Sequence, residues 1–257
     1  MNLTIGYLYG ECMNIYGDTG NIITLQKRAQ WRKISVRVKN ISIGDRLKLG
    51  EVDIFFFGGG QDQAQQLVSE DLQKGTGEII KAEVERGIPL LSICGGYQLL
   101  GAYYQPHKGP KLAGIDLFPA YTQASSQRMI GNIVVQLTSE LADQLASSNS
   151  LTRQSANSLL IGFENHSGKT YLDEKAKPLG KIIKGFGNNG EDKTEGCIYK
   201  NAIGCYMHGS LLPKNPQLAD WLLQKALEVK YSKEMNLMPL NDSFEKTAHN
   251  KTISRFS

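Results

Sequence analysis

The chain lacks most of the features that would assign it quickly. Its four cysteines, Cys12, Cys94, Cys197 and Cys205, include no Cys-x-x-Cys pair. Neither a zinc site nor a redox couple is therefore signalled, no metal is expected, and a reducing, cytoplasmic setting is expected. No apolar run is longer than a strand, too short to cross a bilayer. The opening Met1-Asn2-Leu3-Thr4-Ile5 has neither the basic nor the apolar region of a secretory leader. Lysine and arginine are scattered and the net charge is only +4, which argues against nucleic acid as the partner. Internal repeats and linker-like stretches are also missing. What remains is ordinary for a soluble globular protein: 257 residues, 40% hydrophobic and 21% charged, enough to bury a sizeable core.

Strand-like and helix-like segments alternate along the chain, the mark of a parallel or mixed α/β sheet. Residues 3–9, 34–40, 54–57, 90–93, 130–137, 158–163, 180–184, 196–200 and 202–207 read as strands. Residues 21–32, 78–86 and 216–230 read as helices, the second blurred at its start by Gly75 and Gly77, the third entered through Pro213 and Pro216. The stretch 54–57 is apolar at every position, which places it in a central strand covered on both faces. Residues 103–127 resist assignment. A domain over 1–230 is expected, with a polar extension, 231–257, packed on it or trailing from it and holding one short helix near 243–249.

The sharpest chemical signal is Ile93-Cys94-Gly95-Gly96-Tyr97-Gln98, where an apolar strand runs through a cysteine into two glycines. Such a strand–cysteine–helix turn presents a strained nucleophile, and the glycines admit the tight backbone. At a helix N-terminus the dipole and unpaired N–H groups favour a thiolate. A second apolar strand ends in Tyr206-Met207-His208-Gly209. Active sites of open α/β sheets lie outside the carboxyl ends of strands, so Cys94 and His208 are expected to meet, with the imidazole accepting the thiol proton. His166, also read as following a strand, is the competing base. A third strand ends in Gly58-Gly59-Gly60-Gln61-Asp62. Its exposed amides suit an oxyanion or a phosphate, but no Gly-Lys-Ser/Thr follows, which excludes a Walker loop. Next to the cysteine strand, the amides of Gly59, Gly60 and Gly95 would face an oxygen held at Cys94.

These strings, with Tyr16-Gly17-Asp18-Thr19-Gly20-Asn21, Gly162-Phe163-Glu164-Asn165-His166 and His208-Gly209-Ser210-Leu211-Leu212-Pro213-Lys214-Asn215-Pro216, resemble the class I glutamine amidotransferases of the cobyric-acid-synthase-like branch. The later strings are most similar to the GatD-type subunits of lipid II isoglutaminyl synthases. The resemblance spans residues 16–216 and implies a flavodoxin-like, three-layer α/β/α domain with a mostly parallel central sheet. It also implies Cys94 as nucleophile toward L-glutamine, His208 as general acid and base, and no cofactor in this chain. ATP and Mg would belong to a Mur-ligase-like (MurT-type) partner, in a heterodimer that amidates the D-glutamate of membrane-bound lipid II. A corrinoid-pathway amidotransferase and a non-catalytic flavodoxin-like binding module are the competing readings.

One position departs from the wider class. Most relatives carry a glutamate two residues after the histidine, and here that residue is Ser210. A serine can orient an imidazole but supplies no countercharge. Asp18, Glu164 and Glu195 are the carboxylates that could supply it from within the chain, with the partner as another source; Asp18 could equally cap the helix that follows it. For the substrate's α-carboxylate the candidate is Arg128, whose planar fork fits a carboxylate, and Gln98 is a further candidate contact. Each also has a plain alternative: a solvated arginine and a packed glutamine.

Overall fold

The computed structural model describes residues 1–147 and 158–254. Along the chain run β1 (Asn2–Leu8), α1 (Thr19–Trp31), β2 (Ser35–Ile41), β3 (Ile54–Phe57), α2 (Asp62–Asp71), α3 (Gly77–Glu85), β4 (Leu90–Ile93) and α4 (Gly95–Leu100). Next come β5 (Tyr103–Gln105), β6 (Leu112–Ala113), β7 (Ala120–Leu137), α5 (Ser139–Ser147), β8 (Leu159–Leu172) and β9 (Gly180–Lys184). The chain continues with β10 (Thr194–Glu195), β11 (Cys197–Tyr199), β12 (Ala202–Cys205), α6 (Leu211–Lys214), α7 (Pro216–Tyr231) and α8 (Ser243–Ser254).

The central sheet has the order β11-β12-β4-β3-β1-β2 and is parallel except for the β11–β12 pair. Strand order reverses between β1 and β3. From β1 the chain crosses through α1 to β2 on one side; from β3 it crosses through α2 and α3 to β4 on the other. Right-handed crossovers in opposite directions place those helices on opposite faces, giving the expected three layers. They also open a crevice at the carboxyl ends where the order reverses. Register brings those ends level: Leu8 pairs with Phe57, Phe57 with Ser92, and Ile93 with Cys205. The loops after β1, β3, β4 and β12 are thereby neighbours. Phe55, Phe56 and Phe57 are fully buried, as a strand covered on both faces requires.

A second, mostly antiparallel sheet, ordered β10-β9-β7-β5-β6 with β8 on β7, stands beside the first. From sequence, only 130–137 and 158–163 read as its long strands, whereas β7 and β8 extend to 18 and 14 residues. The reason is the buried face of β8, which past Gly162 is formed by Glu164, His166, Gly168 and Thr170. Apolar alternation cannot find a strand whose inward residues are polar. The same cause hides α2, whose buried residues are Gln65, Val68, Ser69 and Asp71. It joins α3 through Leu72–Thr76, where Gly75 at φ +117° kinks the backbone.

Two fastenings join the layers near the crevice. His208 N–H donates to Phe163 O (2.6 Å) and Phe163 N–H to His208 O (3.3 Å), so β8 pins the backbone beyond β12. Asn215 donates to Ile161 O (2.8 Å) and accepts from Ile161 N–H (3.0 Å), which ties the start of α7 to the same strand. On the outer face a buried ion cluster holds the C-terminal segment: Arg28 of α1 pairs with Asp220 of α7 (2.6 Å) and with Asp242 (2.7 Å), and Arg32 also reaches Asp220 (2.7 Å). Met235 is buried, and His249 of α8 bonds Lys214 O (2.9 Å). The described part of the extension is packed on the domain, and its helix runs longer than the expected 243–249.

Candidate active site

Four loops at the level carboxyl ends build the site. Cys94 follows β4 with φ +50° and ψ −107°, a conformation foreign to a side-chain-bearing residue and costing about 1–3 kcal/mol. The strained turn is held by Cys94 N–H donating to Cys205 O (2.8 Å) and by Gln98 N–H donating to Cys94 O (2.9 Å). The thiol is therefore fixed at the start of α4, with β12 and its trailing His208 alongside. A Cβ built on Gly59 would stand 2.9 Å from His208 Cε1 and 3.3 Å from Cys94 Cβ. Only glycine lets the loop after β3 lie this close to both.

His208 is fully buried. Its Nδ1 lies 3.4 Å from Asp18 Oδ1, a charge contact longer than a tight hydrogen bond. A carboxylate can only accept, so Nδ1 carries a proton, and the buried Nε2 has no hydrogen-bond partner among the described residues. Burial alone would lower the imidazole's pKa, but the adjacent Cys94 and Asp18 charges push it up to about 10. Those charges favour the imidazolium form of His208. The edge of this arrangement is closed by Tyr16, whose ring sits T-shaped against the imidazole, centroids 5.0 Å apart.

The carboxylate beside His208 is Asp18, from a loop 190 positions earlier in the chain. It makes no side-chain cap to α1. Its other oxygen, Oδ2, accepts Gly59 N–H at 2.7 Å. This corrects the expectation for Gly59: its amide is spent on Asp18 and does not face the thiol. The amides of Gly60 and Gly95 have no acceptor among the described residues. Ser210 does not orient the imidazole, because its hydroxyl donates to Gly17 O instead. Glu164 is held by the amides of Phe186 (2.8 Å) and Gly187 (2.9 Å). Burial pushes the Glu195 carboxyl up to about 8 even though Tyr206 N–H donates to it (2.6 Å), which disfavours its charged form.

His166 lies within β8 rather than after a strand. Its Nδ1–H donates to Gly168 O (2.8 Å), its ring stacks on Tyr206 at 3.6 Å, and burial lowers its pKa. Gln98 is buried between Gln65, which donates to its Oε1 (2.8 Å), and Tyr206, whose hydroxyl accepts from its Nε2 (3.1 Å). Gln65 was invisible from sequence because α2 was. Arg128 lies exposed at the mouth, bonded to Asn165 Oδ1 (2.7 Å) and the Tyr16 hydroxyl (3.0 Å). A cavity of about 400 Å³ joins Cys94, Gln98, Tyr16, Tyr104, Arg128 and Asn165. A larger hollow, about 580 Å³, lies by Trp221, Lys177 and Lys200 at the other strand ends and gathers none of these groups.

The profile of the CobB/CobQ-like glutamine amidotransferase domain matches residues 4–216. The chain is 41% identical over 228 residues to the lipid II isoglutaminyl synthase (glutamine-hydrolyzing) subunit GatD of Staphylococcus aureus strain N315, covering 89% of this chain and 86% of that one. To the GatD subunit of Streptococcus pneumoniae strain R6 it is 37% identical over 241 residues, covering 93% and 86%. A probable cobyric acid synthase of Methanothermobacter thermautotrophicus is 27% identical over 180 residues, with only 33% of its length covered. In fold, the chain is similar to a glutamine amidotransferase from Thermotoga maritima, with TM-score 0.55 and 16% identity over 98% of this chain and 92% of that one.

Proposed function

Because the chain belongs to the CobB/CobQ-like glutamine amidotransferase family, we propose that it is a glutaminase subunit that hydrolyses L-glutamine and hands the ammonia to an ATP-dependent synthetase. The observation that carries this reading is the convergence of Cys94, His208 and Asp18 on one crevice. In the first step the Cys94 thiolate attacks the side-chain amide carbon of glutamine, forming a C–S bond. The amide oxygen becomes an oxyanion facing the Gly60 and Gly95 amides, each donor contributing roughly 3 kcal/mol to barrier lowering. The His208 imidazolium then gives its proton to the nitrogen, and the C–N bond breaks to release ammonia. In the second step neutral His208 takes a proton from water, whose oxygen attacks the γ-glutamyl thioester. Glutamate leaves and the thiolate returns with the imidazolium. Asp18 stabilises the positive ring in both steps, and Arg128 would hold the α-carboxylate through a paired hydrogen bond.

The finer reading is also a proposal: a Mur-ligase-like (MurT-type) partner would use ATP and Mg to amidate the D-glutamate of lipid II, in a heterodimer at the cytoplasmic side; the likeness to two glutamine-hydrolysing subunits of lipid II isoglutaminyl synthase supports it. Among the described residues no helix is long and apolar enough to cross a membrane, so access to a lipid-linked acceptor would come through the partner. The cobyric acid synthases favour the corrinoid reading less, since the chain spans about a third of them. The test is ammonia release from glutamine by the purified chain together with whatever synthetase co-purifies from the native cell. Release that Cys94→Ala abolishes supports the glutaminase, and a Mur-ligase-like companion supports the peptidoglycan branch. Undiminished release from Cys94→Ala would remove the thiol from the reaction.

A further inference from the structure

Tyr16 has no part in the chemistry above, yet it touches both ends of the crevice. Its hydroxyl accepts from Arg128 Nη2 at 3.0 Å, and its ring meets His208 edge to face at 5.0 Å. It is a bulky residue at φ +54°, in the left-handed region, a conformation that persists only where surrounding structure enforces it. The enforcement is visible on either side. Ile15 N–H donates to Gly59 O (3.3 Å), and Asp18 Oδ2 accepts Gly59 N–H (2.7 Å). A single residue of the loop after β3, Gly59, thus grips the chain just before and just after Tyr16. Tyr16 is 44% exposed and has no place in the core, so fold stability gives no reason to hold it there.

We propose, on the basis of the glutaminase reading, that Tyr16 is a positioning and specificity residue: its hydroxyl aims Arg128 at the substrate's α-carboxylate while its ring confines the His208 imidazole. The Arg128 contacts favour this division of labour. Asn165 Oδ1 takes Nε–H (2.7 Å) and Tyr16 takes an N–H of Nη2. Both acceptors lie along one edge of the guanidinium, which leaves the Nη1–Nη2 end for a carboxylate in paired geometry. Neutral acceptors orient the cation without cancelling its charge. The same side chain then stands over the imidazole, opposite in role to Asp18, so that binding and chemistry share one support.

The test uses the full-length chain with its co-purifying synthetase, and compares Tyr16→Phe with Tyr16→Ala. Tyr16→Phe keeps the ring and loses the hydroxyl. It is expected to raise KM for glutamine at least about tenfold, as the loss of a hydrogen bond to a charged group does, with kcat within about twofold. Tyr16→Ala loses both and is expected to lower kcat about tenfold as well, consistent with a loosened catalytic base. In an Arg128→Ala background the Tyr16→Phe effect on KM should vanish, because the hydroxyl acts only through that guanidinium. Calorimetric titration of glutamine into Cys94→Ala and Cys94→Ala/Tyr16→Phe should show the same weakening without turnover. Alkylation of Cys94 by iodoacetamide, which has no carboxylate, should proceed at the wild-type rate in Tyr16→Phe. A normal KM for Tyr16→Phe, additivity with Arg128→Ala, or an unchanged kcat in Tyr16→Ala would overturn the proposal while Cys94-dependent hydrolysis stood. Loss of that hydrolysis from the wild-type chain would instead overturn the glutaminase reading.

Discussion

Asp18 divides its carboxylate oxygens between the His208 imidazole and the Gly59 amide, so a single side chain sets the charge of the base and the position of the glycine loop. Asp18→Asn keeps an oxygen for one of these contacts and removes the charge. It is expected to lower kcat about 100-fold, within the usual span for losing acid–base assistance, as measured by ammonia release across pH. Activity equal to wild type would take Asp18 out of the mechanism. The same charge carries a stability consequence. His208 is raised from its ordinary 6.5 to about 10, so between those values the folded chain binds a proton that the unfolded chain has released. That contribution is complete below about pH 6.5 and is lost as pH rises through about 10. Asp18→Asn should flatten the loss, which urea unfolding at a series of pH values across this window would show. Gly59→Ala tests the packing instead. Its methyl would press on His208 Cε1 at 2.9 Å, and kcat should drop at least about tenfold because sub-ångström misplacement is costly in such sites.

At the scale of elements, the parts legible from sequence are those whose burial is apolar. The 54–57 and 90–93 strands matched residue for residue, and the turn carrying Cys94 followed from its glycines. Strand β8 beyond Gly162 and helix α2 were not legible, because Glu164, His166, Thr170, Gln65 and Ser69 fill their inward faces with hydrogen-bonding groups. Asp18 was legible as a candidate and no more: its pairing with a residue 190 positions away depends on register between β1, β3 and β12. The C-terminal segment was readable as polar with one short helix, but its anchor was not: Asp242 plugs a buried arginine. Removing one partner of such a buried pair leaves an uncompensated charge. Asp242→Ala is expected to cost about 3 kcal/mol, less than complete loss because Asp220 remains on Arg28. The check is the urea midpoint, with glutaminase activity retained below the transition, since the cluster lies on the outer face away from Cys94.

At the scale of the whole molecule, two sheets meet where one contributes the nucleophile and the other fixes the base. β4 delivers Cys94, β12 delivers His208, and β8 pins His208 through paired backbone bonds with Phe163. The crevice reaches the surface at the exposed Arg128, and the chain belongs to the CobB/CobQ-like glutamine amidotransferase family. The central claim is that Cys94 becomes γ-glutamylated during turnover. The most direct measurement is mass analysis of the Cys94 peptide after the chain and its synthetase are mixed with glutamine and quenched in acid. The expected result is a peptide heavier by one γ-glutamyl group, absent from Cys94→Ala, whose ammonia release is also lost. Continued ammonia release with an unmodified Cys94 peptide would contradict the account.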